Sequence, residues 1–239
     1  MTHGDALALT VEATQRSVED RLREALAPHR DPHRPRDGYA AIDTFTTATS
    51  RHMSAIEAVL VRLLLHTAPS GAALVREYLD AARRLELTLS VVKARLYGEA
   101  HAVHYRWPEL WDLVVGQLAE HNRLERRLVD ELIRYGDPQQ VDGLAWQLFD
   151  AERHAPTRPH PWLPHTGRLS PVARRIWAVA DRLWDTAEGR VIPEPVHPAP
   201  HRHDSLVAQY LVADPMFDDH ARLMAHRHAR KPDNQAPRS

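Results

Sequence analysis

One segment, residues 109–135, constrains the fold most strongly because its apolar residues recur at steps of three and four. This spacing predicts an amphipathic helix packed along a bundle. The apolar residues that show this spacing are Trp111, Val114, Leu118, Leu128 and Leu132. The same steps also reach His121 and Glu125, which lie one turn apart on this face. Burying an unpartnered polar group is costly and burying a bare charge costs more, so the pair predicts a metal ion, an ion-pair partner or a water-filled pocket.

Composition excludes several classes of protein. The 239 residues carry a formal charge of −1, and their arginines are interleaved with acidic residues, so we expect no nucleic-acid partner. The absence of cysteine excludes disulfides, thiolate zinc sites and cysteine nucleophiles, and it fits a reducing cytoplasm. The longest apolar run, residues 58–65, is interrupted by Arg62 and is too short to span a membrane. The N-terminus also lacks a signal-peptide pattern, and we therefore expect a cytoplasmic protein without membrane association.

Helical periodicity in every long segment, with no alternating strand pattern, predicts an all-α fold. We expect an up-down four-helix bundle whose core helices cover residues 44–66, 72–100, 109–135 and 139–154. The first core helix has an inward stripe of apolar residues. These are Phe45, Ala48, Ile56, Val59 and Leu63.

Proline-rich segments divide the chain into four parts. We expect an N-terminal helix and linker in residues 1–40, the bundle in residues 41–161, and an accessory helix in residues 162–190. Residues 191–239 are expected to form a Pro/His-rich linker and a partly disordered tail. The accessory helix carries Trp177 and Trp184 on one face, which predicts that it packs against the outside of the bundle.

Polar side chains also fall on the core faces of the first two bundle helices. His52 lies on the first stripe, whereas Glu57 is five residues further on and about 140° round the helix, so it fits that face poorly. Glu86 and Lys93 lie two turns apart on the second helix and face the same way. We expect the Lys93 ammonium to turn out to solvent, because lysine is rarely buried and its stem is flexible.

Histidines on two apolar faces are expected to meet inside the bundle. A shared site satisfies both His52 and His121, whereas two separate buried imidazoles would each need a partner. On the last core helix, the residues able to add a ligand are Glu152 and His154, both near its end.

The order of these elements resembles a hemerythrin-like (HHE cation-binding) bundle of a divergent, actinobacterial type. The similarity covers residues 44–161 and rests on His52, on the sequence HNRLE at residues 121–125, and on ERHAPTRPHP at residues 152–161. Proteins of this family hold a non-haem di-iron centre with histidines and carboxylates from all four helices, and they leave a position open for dioxygen or a related diatomic molecule.

The chain departs from the family pattern on two helices. The second core helix has Thr88 and Val92 in place of the family's His-x-x-x-Glu pair, and the last core helix lacks such a pair. The resemblance therefore implies an incomplete set of iron ligands, with a small diatomic molecule or oxidant as the bound partner. The ligands that it implies are His52, Glu86, His121 and Glu125.

Three functions are compatible with these residues, and the sequence favours them in the following order. The first is a hemerythrin-like protein that holds one iron, or a remodelled pair, and that senses or handles oxygen or another small oxidant. The second is a metal-free helical bundle with a structural or protein-interaction role, in which Lys93 and Glu125 replace the metal. The third is a cofactor-free enzyme with His121 as general base and Glu125 as its orienting residue, for which the sequence offers no nucleophile or oxyanion donor.

Overall fold

The computed structural model describes residues 4–27, 37–158, 181 and 192–198. All regular elements in these residues are helical, without any β-strand, which confirms the all-α prediction. The described residues belong to one compact unit. No helix among them is long and apolar enough to cross a lipid bilayer.

Seven α-helices and one π-helical turn make up the described fold. The helices are α1 (Asp5–Leu26), α2 (Asp37–Ile56), α3 (Arg62–Thr67), α4 (Gly71–Leu96), α5 (Trp107–Tyr135), α6 (Pro138–Asp142) and α7 (Leu144–His154). The π turn, Glu57–Val61, joins α2 to α3. The first core helix begins earlier than the predicted residue 44, because Ile42 extends its buried face back by a turn. The predicted last helix is interrupted at Gly143.

Two predictions concern residues outside the described ranges. The predicted accessory helix with Trp177 and Trp184 and the predicted tail both lie there. They stay predictions.

Helices α4 and α5 are an antiparallel pair. At one end of the pair, the Ser70 hydroxyl donates a hydrogen bond to Glu131 at 2.9 Å. At the other end, the Arg95 guanidinium lies over the Trp107 ring, 5.6 Å from its centroid. Each contact joins the start of one helix to the end of the other, so residue numbers increase in opposite directions along α4 and α5.

Helix α1 packs into the same core and runs antiparallel to α5. Leu7 and Val11 are buried among the core residues of the other helices. The Gln15 side chain donates to the backbone oxygen of Asn122 at 3.2 Å, and Gly4 lies against Ile133 further along α5. The N-terminal helix is therefore part of the packed unit.

The π turn changes which residues of the first core helix face inward. A π turn contains one residue more than an α turn, which rotates the following residues by about 100°. Leu60 and Leu64 are fully buried, whereas the predicted Val59 and Leu63 are only partly buried. The predicted stripe assumed an unbroken α-helix, and it is wrong by one residue after Ile56.

Two glycines provide a matched test of this packing. A Cβ added at Gly71 would lie 2.3 Å from the backbone oxygen of Leu64, whereas one added at Gly116 would meet nothing within 4 Å. We expect Gly71→Ala to lower the free energy of unfolding by about 1–3 kcal/mol, because the backbone between α3 and α4 must shift. Gly116→Ala should raise it by about 0.5–1 kcal/mol, since alanine is the better helix former. Urea denaturation measures both, and equal effects would contradict the close packing at Gly71.

Candidate functional site

A buried cluster of imidazole and carboxylate side chains lies where α2, α5 and α7 meet. His52 is 5% exposed and Glu125 is 0% exposed. The Nε2 atom of His52 lies 2.7 Å from Oε1 of Glu125, and its Nδ1 atom lies 2.6 Å from Oε1 of Glu152. Both ring nitrogens of His52 are therefore hydrogen-bonded to carboxylates.

The two carboxylates hold His52 in its cationic form. Burial by itself lowers the pKa of an imidazole, but the charges and hydrogen bonds of Glu125 and Glu152 outweigh it and raise the pKa of His52 to about 10. Burial raises the pKa of Glu125, yet the charge and hydrogen bond of His52 bring that pKa below its usual value. At neutral pH, His52 is thus an imidazolium that donates both N–H groups, and one positive charge faces two carboxylates.

The second imidazole, His121, lies on α5 one turn before Glu125. Its Nδ1 atom is 3.8 Å from Oε2 of Glu125, and its Nε2 atom is 3.0 Å from the hydroxyl of Tyr78 on α4. Burial is the largest influence on the pKa of His121 and lowers it, although Glu125 opposes this effect. His121 is therefore a neutral ring with a different neighbour at each nitrogen.

The side-chain amides of Asn122 and Gln15 hydrogen-bond to His121 and Glu125, respectively, and contribute to their pKa shifts. Two buried atoms of these residues nevertheless have no hydrogen bond of normal length among the described residues. They are Nδ1 of His121 and Oε2 of Glu125. Their separation of 3.8 Å is too long for a hydrogen bond. Metal bonds to imidazole nitrogen and carboxylate oxygen are each about 2.0–2.2 Å, so a tetrahedral ion would need these two atoms about 3.3–3.6 Å apart, slightly closer than they are. The chemical types of the two donors fit a metal ion, although their separation would have to shorten.

The structure brings together three of the predicted site residues. His52 and His121 each contact Glu125, through different oxygens of its carboxylate. The prediction that the two histidines converge inside the helical core is therefore confirmed. The metal-binding role of these residues stays a prediction.

The other two polar residues predicted on the second core helix lie further along it. Glu86 is buried eight residues beyond Tyr78 on α4, about 12 Å along the helix axis, and its place in the site stays a prediction. Lys93 is 15 residues beyond Tyr78, about 22 Å along the axis. Its Nζ atom is buried and lies 5.9 Å from the centroid of the Tyr97 ring. The expectation that this ammonium turns out to solvent is therefore wrong. The cation that contacts Glu125 is the imidazolium of His52.

Two buried carboxylates that act on the histidines, Glu152 and Glu57, are missing from the predicted ligands His52, Glu86, His121 and Glu125. Glu152 is buried against His52, whereas His154, the other residue predicted to be able to add a ligand from this helix, is exposed and hydrogen-bonded to the backbone of Asp150. Glu57 is buried at the first residue of the π turn, and its charge acts on His121. Helical spacing could have indicated Glu152, but it does not reveal a π turn.

A buried arginine supports the cluster next to His52. The Nε atom of Arg51 donates to the backbone oxygen of Glu152 at 2.8 Å, and its Nη1 atom donates to the backbone oxygen of Pro193 at 2.6 Å. Arg51 thus ties residues 192–198 to the end of α7 that carries Glu152.

Comparison with protein-family models, curated proteins and solved structures gives no match. Within the part of the chain that the structure describes, no group of three or more His, Asp and Glu side chains is arranged to hold a metal ion. Any function inferred for this site must therefore be based on the contacts among its own residues.

Proposed function

We propose that the chain is a hemerythrin-like protein that binds non-haem iron in its buried His–Glu cluster. The observation that carries this proposal is the pair of buried donors, Nδ1 of His121 and Oε2 of Glu125, 3.8 Å apart and without hydrogen bonds of normal length among the described residues. Imidazole and carboxylate are the ligand types of non-haem iron proteins. Together with the resemblance in the sequence, they favour iron over an oxygen-ligated cation such as magnesium.

In this proposal the fold is a four-helix bundle with α1 as an additional helix. The first bundle helix is α2 with the π turn and α3, the second is α4, the third is α5, and the fourth is α6 with α7. Each of these contributes a polar side chain to the cluster, which supports the assignment because bundle proteins build metal sites from facing helices. The four side chains are His52, Tyr78, Glu125 and Glu152.

We infer that iron would bind to His121 and Glu125, and that His52, Glu152 and Glu57 would have to move to complete the ligands, because the described side chains form no ready group of three. Each oxygen of Glu125 faces a different imidazole, so Glu125 links the two sides of the site. An imidazole must be unprotonated to bind a metal, and iron therefore competes with a proton on His52. When bound, iron would supply the position for dioxygen or a related small oxidant that the resemblance implies.

A second function is favoured by the contacts of His52. Both of its nitrogens already have carboxylate partners at 2.6 and 2.7 Å, so the chain supplies a cation of its own. A buried, hydrogen-bonded ion network of this kind also occurs without metal, as a structural element. The alternative is therefore a metal-free helical bundle with a structural or protein-interaction role.

Metal analysis of protein purified without a His tag distinguishes the two functions. We expect wild-type protein to retain iron, and His121→Ala to lose most of it because a ligand is removed. The matched control is His154→Ala, which changes an exposed histidine and should keep its iron. Circular dichroism shows whether each variant remains folded.

Two substitutions on α4 test the remaining predicted residues. We expect Glu86→Gln and Lys93→Met to retain iron, because both residues are 12 Å or more along the helix from Tyr78. Iron lost in Glu86→Gln would add Glu86 to the ligands. Wild-type protein that takes up no iron even after reconstitution would favour the metal-free bundle. Iron bound only by Lys93→Met would mean that the Lys93 ammonium prevents metal binding in the native protein.

A further inference from the structure

The hydroxyl of Tyr78 is the hydrogen-bonding neighbour of His121 on the side away from Glu125. It lies 3.0 Å from Nε2 of His121, and the two ring centroids are 4.9 Å apart. Tyr78 is fully buried, and the face of α4 beside it is otherwise apolar at Leu74 and Leu85. Its hydroxyl therefore determines the environment of one of the two imidazole nitrogens.

The nitrogen of the His121 ring that carries the proton is expected to differ between the cation-free and the cation-bound site. A neutral imidazole has one N–H and one lone pair. With no cation beside it, the N–H is better placed on Nδ1, towards the negative Oε2 of Glu125. A metal ion held by His121 and Glu125 would require the lone pair of Nδ1, and the ring would then carry its proton on Nε2.

Tyrosine suits both arrangements because its hydroxyl is a donor and an acceptor. It donates O–H to Nε2 of His121 in the first arrangement and accepts N–H from Nε2 in the second. A carboxylate at this position could only accept, and an ammonium could only donate. Metal-ligating histidines usually donate their second ring N–H to such a partner, and removal of the partner typically weakens metal binding 10–100-fold.

We propose that Tyr78 is a positioning residue of the site: its hydroxyl accepts the Nε2–H of His121 and so directs the Nδ1 lone pair towards Oε2 of Glu125 and a cation between them. This inference rests on the proposed metal-binding function. The apolar pattern of α4 does not by itself predict that Tyr78 positions His121.

The first test is zinc affinity in Tyr78→Phe, which removes the hydroxyl and keeps the ring. Zinc is the probe because imidazole and carboxylate bind it and it is diamagnetic. In metal-free full-length protein titrated against a chromophoric chelator, we expect the zinc Kd to rise roughly 10–100-fold in this variant. Tyr135→Phe is the control, because Tyr135 is exposed on α5, and it should leave the Kd unchanged.

The second test is ¹⁵N NMR of the His121 ring, which reports which nitrogen carries the proton. In zinc-bound wild-type protein we expect the proton on Nε2 and a metal-bonded Nδ1. A proton on Nδ1 in that state overturns the inference even if Tyr78→Phe fails to fold. Equal zinc affinity in wild-type protein and Tyr78→Phe overturns it while leaving the metal site intact, whereas wild-type protein that binds neither zinc nor iron overturns the proposed function and this inference together.

Discussion

The stability of the metal-free protein is expected to fall as the pH rises from about 6.5 to about 10. In the folded protein the pKa of His52 is raised to about 10, above the ordinary value of about 6.5 that applies to the unfolded chain. The stabilisation that His52 contributes is therefore complete below pH 6.5 and is lost as the pH rises through the folded pKa. Within that window the folded state binds one proton more than the unfolded state, so the free energy of unfolding falls by about 1.4 kcal/mol per pH unit.

Urea denaturation in the presence of a chelator, repeated across this pH range, measures the effect. His52→Gln removes the titrating group, and the difference between the wild-type and variant slopes isolates the contribution of His52 from those of other groups. The exposed His154→Gln is the control and should keep the wild-type slope. Parallel curves for wild-type protein and His52→Gln would show that His52 is not a buried imidazolium.

Glu125→Ala is expected to lower the free energy of unfolding of the metal-free protein by about 3–5 kcal/mol. This substitution removes the carboxylate that accepts the Nε2–H of His52 at 2.7 Å and leaves part of a buried charge uncompensated. Breaking a buried ion pair by removing one partner typically has a cost of this size. The loss should be largest near neutral pH, where His52 is charged, and should shrink as the pH approaches 10.

Two further variants separate charge from packing. Glu125→Gln keeps the shape of the side chain and removes its charge, so it should destabilise the protein less than Glu125→Ala. Glu120→Ala, on the exposed side of α5, removes a carboxylate that pairs with Arg123 at the surface, and we expect little change in stability. A loss in Glu120→Ala as large as that in Glu125→Ala would show that burial of Glu125 is not the cause.

The all-helical fold and the centre of the site could be predicted from the sequence because both depend on local periodicity. The steps of three and four on α5 identify His121 and Glu125 as buried, and the structure buries both. The same spacing identifies His52, since the helix is still regular at that point. Each of these residues is fixed by the geometry of a single helix.

The rest of the site depends on features that single-helix periodicity does not contain. The π turn that begins at Glu57 moves the buried face by one residue, and no residue in this stretch is a helix breaker that signals it. The pairing of Glu152 with His52 requires the relative placement of α2 and α7, which is set by tertiary packing. The general behaviour of lysine predicts Lys93 at the surface, but its Nζ is buried near Tyr97.

Calorimetric titration of metal-free protein with Fe(II) under anaerobic conditions tests the central claim most directly. Repeating the titration in two buffers with different ionisation enthalpies counts the protons released. We predict saturable binding at neutral pH with release of about one proton or more, because His52 must lose its proton to bind iron. Binding should be lost in His121→Ala and retained in His154→Ala. Absence of saturable binding in the wild-type protein, or binding that is the same in His121→Ala, would contradict a metal site in the buried cluster.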